Sequence, residues 1–223
     1  MCGRFSLTLS FKDLRDYFLL NEGFDPEARY NIAPSQDVAA VRLEEGHRRL
    51  VSLHWGLIPF WADDLKIGYR TINARSETAH KTPSFRAAFR SRRCLIPASG
   101  FYEWEKKQGT KQPYFIYRTD GKPMAFAGLW EHWEDKEGKE VIESGTILTT
   151  DAADPVARLH DRMPVILEPK DFDLWLAPKE QNIDLLRKLL KPAASEVLSI
   201  YAVSKYVNKA GNEGERCVEQ PTE

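Results

Sequence analysis

Cysteine is scarce in this chain, with three in 223 residues, Cys2, Cys94 and Cys217. Their scatter gives neither a disulfide framework nor the paired ligands of a zinc site, so reduced thiols and no metal are expected. No apolar run approaches the roughly 18 to 20 residues that a spanning helix requires. The start, MCGRFSLTLSFKD, lacks a basic region followed by an apolar one and a cleavage site, so no membrane partner and a cytoplasmic location are expected. Also missing are G-x-G-x-x-G, the P-loop, H-E-x-x-H and G-x-S-x-G, which removes the usual grounds for a nucleotide or other cofactor and for serine-hydrolase chemistry. No internal repeat, low-complexity segment or linker divides the chain. One domain over residues 1–223 is expected, with a polar, irregular tail from about 209. No oligomer signal stands out, and a monomer is expected. Net charge is nearly absent too: 32 basic against 33 acidic residues give -1, which excludes a globally basic nucleic-acid coat.

What is present is a globular composition, 42% hydrophobic, 29% charged and 11% aromatic, which excludes disorder, collagen and coiled coil. The charge is unevenly spread. Residues 65–94 hold eight bases, Lys66, Arg70, Arg75, Lys81, Arg86, Arg90, Arg92 and Arg93, against the single acid Glu77. Residues 131–143 hold six acids and two lysines, so a polarised surface with one anion-attracting face is expected. A helix is predicted near Ser10, where Ser10 and Asp13 have capping-box spacing and Phe11, Leu14, Tyr17 and Phe18 recur at helical intervals. Strands at 38–42 and 50–55, around a turn at 44–46, read as a hairpin. Thr82-Pro83 reads as a helix start, with Phe85, Ala88 and Phe89 on its apolar face. Strands follow at 94–97, 101–105, 114–117, 124–129 and 146–150. Asp120-Gly121 is the stronger hairpin cue among them and Glu137-Gly138 the weaker. Helical segments at 155–159, 169–176 and 183–190 precede a last strand near 197–203. Strands in the middle and helices toward the ends make the class α+β, with mainly antiparallel pairing.

Cys2 carries the most chemistry. Initiator methionine is generally trimmed before a small second residue, and removal of Met1 would leave a cysteine with a free α-amine, a 1,2-aminothiol. An α-amine titrates near about 7.7 to 8.0 and a thiol near about 8.5, so both are nucleophiles near neutral pH. Their natural electrophile is an aldehyde: the amine forms an imine, and the thiol closes on the imine carbon to give a thiazolidine. Loss of water from the carbinolamine needs a proton donor. Glu103, in Gly-Phe-Tyr-Glu-Trp-Glu, and His160, in Leu-His-Asp-Arg-Met-Pro, are the candidates, and Asn73, in Thr-Ile-Asn-Ala-Arg-Ser-Glu-Thr, is a neutral group able to hold the amine. Position alone leaves open a cysteine that merely stands second, a solvated glutamate and a packing histidine.

The blocks MCGRF, RYNIAPSQ from Arg29, HWGLIPFWA from His54, INARSET from Ile72, RRCLIPASGFYEWE from Arg92 and TTDAADPVARLHDRMPVIL from Thr149 resemble the SOS-response-associated peptidase family, the SRAP domain. The resemblance runs from Met1 to about Leu167 and returns in AVSKYVN at 202–208. It implies barrel-like twisted sheets with peripheral helices, and a sensor and shield of abasic sites in single-stranded DNA. In that family the N-terminal cysteine bonds to the ring-opened sugar aldehyde as a thiazolidine. The roles implied are nucleophile for Cys2, amine positioning for Asn73, proton transfer for Glu103 and assistance to sugar opening and ring closure for His160. DNA contacts are implied at Arg4, Arg75 and Arg162, with base stacking on Trp61 and groove lining by Pro34. For Arg86, Arg90, Arg92 and Arg93 there is charge but no motif, which leaves them as candidates for an electrostatic funnel. The family name implies a peptidase, read narrowly as release of the chain's own N-terminal residue, and imine chemistry implies abasic-site lyase activity beside it. Two rivals remain: an N-terminal-cysteine amidohydrolase of the glutamine amidotransferase type, whose glutamine-binding and Asn-Gly elements are missing here, and a non-covalent single-stranded DNA-binding module.

Overall fold

β-Strands dominate the computed structural model, which describes residues 2–107 and 109–221. Ahead of the first helix runs β1 (Phe5–Leu7). Ser10 then caps α1 (Phe11–Phe18) through the expected box: its hydroxyl accepts from the Asp13 N–H and Asp13 accepts from the Ser10 N–H. The helix buries Leu14 and Phe18 and stops at Leu19, whose left-handed φ of 54° ends the ladder. β2 (Arg29–Ile32) follows, and then β3 (Asp37–Glu44) and β4 (His47–Trp55) form the predicted hairpin. Its turn residues Glu45 and Gly46 both take positive φ, the twist a two-residue hairpin turn requires.

β5 (Asn73–Arg75) and α2 (Arg86–Ser91) lead into β6 (Arg93–Ala98), β7 (Gly100–Lys107), β8 (Thr110–Arg118), β9 (Met124–Glu134) and β10 (Val141–Asp151). β11 (Arg162–Pro164), α3 (Phe172–Leu176), α4 (Ile183–Leu189) and β12 (Leu198–Ala202) complete the order. The fold is α+β and divides into two sheets. One is open and antiparallel, in the order β12-β8-β7-β1-β2. The other closes on itself as a five-stranded barrel, β10-β4-β3-β6-β9 and back to β10, and the far end of β10 also carries β5 and β11. β10 runs parallel to β4 and β5, and the remaining pairs are antiparallel. Phe5 joins the sheets, with its ring edge-on to Trp55 at 5.1 Å and to Phe126 at 5.9 Å, and Phe126 meets Phe101 at 6.0 Å. That aromatic knot fixes the chain three residues after Cys2.

Two local expectations change. Asp120-Gly121 is a turn, with Gly121 at φ 70°, but it joins β8 of the open sheet to β9 of the barrel. It makes no hairpin because β8 pairs with β7 and β12, while β9 pairs with β6 and β10. Near Thr82-Pro83, the Thr82 N–H and hydroxyl both bond the Thr78 carbonyl, which builds separate turns, so the α-helix begins only at Arg86. Glu137-Gly138 does turn the β9–β10 hairpin. The tail is irregular but docked, as Cys217 and Val207 are buried in a cluster with Tyr102, Phe115 and Val203. No helix among the described residues is long and apolar enough to cross a membrane.

Candidate functional site

The two sheets meet at Cys2, which stands just before β1 and is fully buried. Because Phe5 pairs with Phe101 and the Tyr102 N–H donates to the Arg4 carbonyl (3.0 Å), the next residue of β7, Glu103, comes alongside the N-terminal segment. From the other sheet, Asn73 at the head of β5 donates its side-chain N–H to the Cys2 carbonyl at 2.7 Å. Asn73 Oδ1 is buried and has no hydrogen-bond partner among the described residues, an acceptor left over beside Cys2. Cys2, Asn73 and Glu103 therefore form one group.

Electrostatics gives these groups an order of action. Burial pushes the Cys2 thiol far above its usual range, and the Glu103 charge adds to this, while a backbone hydrogen bond from Arg4 opposes it. A thiol so protonated is a poor first nucleophile. Burial likewise pushes Glu103 up to about 7, and the Asp161 charge adds to that rise. Such a carboxyl exchanges its proton at neutral pH.

His160 leads into β11. Its Nδ1 is 2.9 Å from the Arg162 N–H and 2.7 Å from Asp161 Oδ1. The amide needs a lone pair on Nδ1 and the carboxylate needs a proton there, so the two neighbours favour opposite ring states. Thr149 of β10 pairs with Arg75 on one side and Pro164 on the other, and Asp151 pairs with Arg162. One strand end thus collects Asn73, Arg75, His160 and Arg162. Arg75 is exposed and makes no ion pair among the described residues. Arg162 is buried and held: it bonds both Glu77 oxygens at 2.8 and 2.9 Å, Asp151 at 2.6 Å and the Thr149 carbonyl at 2.6 Å. Burial works against the charge of Glu77, yet these bonds keep its carboxyl below the usual range.

Arg4 is half-buried against the C-terminal tail. Trp61 is 49% exposed in the loop after β4, outside the hydrogen-bonded group around Cys2, and its neighbour Phe60 is 57% exposed. Pro34 precedes Ser35, at φ 68°, in a turn closed by the Gln36 N–H on Ala33 O. Sequence reasoning missed Phe60, although it lies in the quoted HWGLIPFWA block, and missed Asn31 of RYNIAPSQ and the Glu77–Asp151 pair that holds Arg162. Of the candidate funnel, Arg93 is buried structure and Arg92 pairs with buried Glu131 at 2.8 Å, leaving Arg86 and Arg90 exposed.

The arrangement suits amine-first attack on a carbonyl, with an acid of near-neutral pKa and a waiting thiol. The sequence profile described as SOS response associated peptidase (SRAP) matches residues 1–210. Abasic site processing protein YoqW of Bacillus subtilis (strain 168) is 42% identical over 224 residues, covering 98% of this chain and 99% of that protein. Abasic site processing protein HMCES of Gallus gallus is 32% identical over 198 residues, covering 78% of this chain and 58% of that protein. A crystal structure of a protein from Bacteroides thetaiotaomicron superposes with a TM-score of 0.86 at 26% identity, covering 99% of this chain and all of that one.

Proposed function

The chain belongs to the SOS response associated peptidase (SRAP) family, and from that membership and the geometry at Cys2 we propose that it processes abasic sites in single-stranded DNA by bonding to them. After hydrolysis of the Met1–Cys2 peptide bond, the free α-amine of Cys2 adds to C1′ of the ring-opened sugar aldehyde. Protonated Glu103 gives its proton to the carbinolamine hydroxyl, water leaves and an imine forms. The Cys2 thiol then adds to the imine carbon and its proton passes to nitrogen, closing a thiazolidine; one water is lost overall. Asn73 holds the Cys2 backbone so that amine and thiol face one carbon. His160 shuttles the proton that opens the sugar and assists closure. Arg4, Arg75 and Arg162 face phosphates, Trp61 stacks a flanking base and Pro34 lines the groove. The protein acts as a monomer, its peptidase activity is confined to its own N-terminus, and lyase activity is a side reaction, because the imine acidifies C2′ and permits β-elimination of the 3′ phosphate until the thiol closes.

The observation that carries this reading is the burial of Glu103 beside Cys2 while Asn73 fixes the Cys2 carbonyl at 2.7 Å. An N-terminal-cysteine amidohydrolase would instead use the thiol first, which its burial disfavours. The test is Cys2→Ala with an abasic-site oligonucleotide. The variant keeps the amine and cannot close the ring, so it should give a borohydride-trappable imine and more strand cleavage per imine than the parent. Neither imine nor cleavage would overturn the proposal.

A further inference from the structure

Asn31 is fully buried on β2, away from the reacting atoms, yet it is the hub of a polar network that ends on Arg4. Its Nδ2 faces three carbonyls of the C-terminal tail, Val207 at 3.3 Å, Lys209 at 3.0 Å and Asn212 at 2.7 Å. Its Oδ1 accepts Arg4 Nη1 at 2.7 Å, and the same Nη1 reaches Val207 O at 3.0 Å. Further bonds pin the tail beside this hub: Trp104 Nε1 to Asn208 Oδ1 at 2.7 Å, and the Tyr30 N–H to Glu213 Oε2 at 2.8 Å. The Arg4 guanidinium also lies 5.8 Å from the Trp104 ring centroid.

This network uses one nitrogen of Arg4. Nε is buried without a partner, and Nη2 makes no hydrogen bond to a described residue. With Nη1 held and Nε closed to solvent, Nη2 is the donor that Arg4 has left for an oxyanion. The Asn31 amide satisfies Nη1 without neutralising the charge, whereas a carboxylate there would cancel it.

We propose that Asn31, together with the carbonyl of Val207, is the positioning element for Arg4, holding Nη1 so that Nη2 faces a DNA phosphate beside the lesion, and that the C-terminal tail is thereby part of the DNA site. Arg4 is two residues from Cys2, so a phosphate seated on it sets where the abasic sugar falls relative to the amine. The inference rests on the reading of Arg4 as a phosphate contact given above.

The experiment measures adduct formation against DNA concentration, and equilibrium binding to an oligonucleotide carrying a tetrahydrofuran abasic analogue that cannot form an imine. The proteins are the parent, Asn31→Ala, Arg4→Ala, the double variant and Arg4→Lys. Arg4→Ala should raise the half-saturating DNA concentration roughly tenfold and flatten the log–log salt dependence by about 0.7. Asn31→Ala should match it on both counts and change nothing further in the Arg4→Ala background. Arg4→Lys leaves Asn31 in place and keeps the charge but has no second nitrogen to offer a phosphate while the first is held by Asn31, so it should lose as much as Arg4→Ala, which keeps the test decisive even if Asn31→Ala unfolds. A full additional loss from Asn31→Ala in the Arg4→Ala background, or parental affinity in Arg4→Lys, would overturn the inference. Absence of adduct in the parent would overturn the covalent reading alone, because binding to the inert analogue still reads the Arg4–Asn31 coupling.

Discussion

Glu103 is held where its two protonation states are nearly balanced, because burial pushes it from 4.5 to about 7. As a proton donor to the carbinolamine it must be protonated, while the α-amine must be neutral near its own pKa of about 7.7 to 8.0. Adduct formation should therefore follow a bell-shaped pH profile with a falling limb above about 7. Glu103→Gln should be slower by about a hundredfold and lack that limb; a variant with both limbs intact would assign the acid elsewhere. The same shift has a stability consequence. A carboxyl whose folded pKa is raised binds its proton more tightly folded than unfolded, so stability falls as pH rises from 4.5 to about 7 and then levels off. The loss is at most about 3 kcal/mol, and urea unfolding at pH 5 and pH 8 should show it in the parent and not in Glu103→Gln. Arg75 and Arg162 make a different contrast. Arg75 is free in solvent, so Arg75→Ala should weaken DNA binding and flatten its salt dependence with little change in Tm. Arg162 holds Glu77, Asp151 and Thr149 together, so Arg162→Ala should lower Tm as well. Equal Tm values for the two variants would contradict this.

Among the elements, Arg93 shows why a basic run in a sequence does not map onto a basic surface. It reads as one of a cluster of arginines at 86–93, yet it is buried at the start of β6. There it donates to Phe89 O and Arg90 O at the end of α2, and to Trp175 O and Ala177 O at the end of α3. One guanidinium thus bonds carbonyls at two helix C-termini. Arg93→Ala should cost about 2–4 kcal/mol in denaturant unfolding while leaving the salt dependence of DNA binding unchanged; a flatter salt dependence at parental stability would return Arg93 to the DNA surface. The capping box at Ser10, the β3–β4 hairpin and the Glu137-Gly138 turn were legible because each is written in adjacent residues. The Asp120-Gly121 turn was legible as a turn and not as a crossing, since the partners of β8 and β9 lie far away in sequence. β1, β2, β5 and β11 are strands of three or four residues, too short to show alternation, and their pairing partners give them their form. These short strands carry or flank much of the site: Arg4 and Cys2 precede β1, Asn31 is in β2, Asn73 and Arg75 are in β5, and Arg162 begins β11. Cys2, Glu103 and His160 were readable as chemistry, and what placed them together was resemblance, because their spacing along the chain contains nothing of the junction between sheets.

At the scale of the whole molecule, the open sheet brings Glu103 and the N-terminal segment, and the barrel brings Asn73, Arg75, His160 and Arg162 around the end of β10. Phe5, wedged between them, keeps the two contributions in register. The net charge of -1 means that DNA attraction must come from a local face. The three phosphate contacts proposed at Arg4, Arg75 and Arg162 predict a log–log salt slope for single-stranded DNA of about -2; a slope near zero would leave the charge asymmetry without a role in binding. The most direct test of the account is the intact mass of the protein before and after incubation with a single-stranded oligonucleotide carrying one abasic site, with Cys2→Ala in parallel. The account predicts a heat-stable one-to-one adduct, less one water, only in protein that has lost Met1 and kept Cys2. Protein without Met1 that binds the oligonucleotide but gains no mass would contradict it.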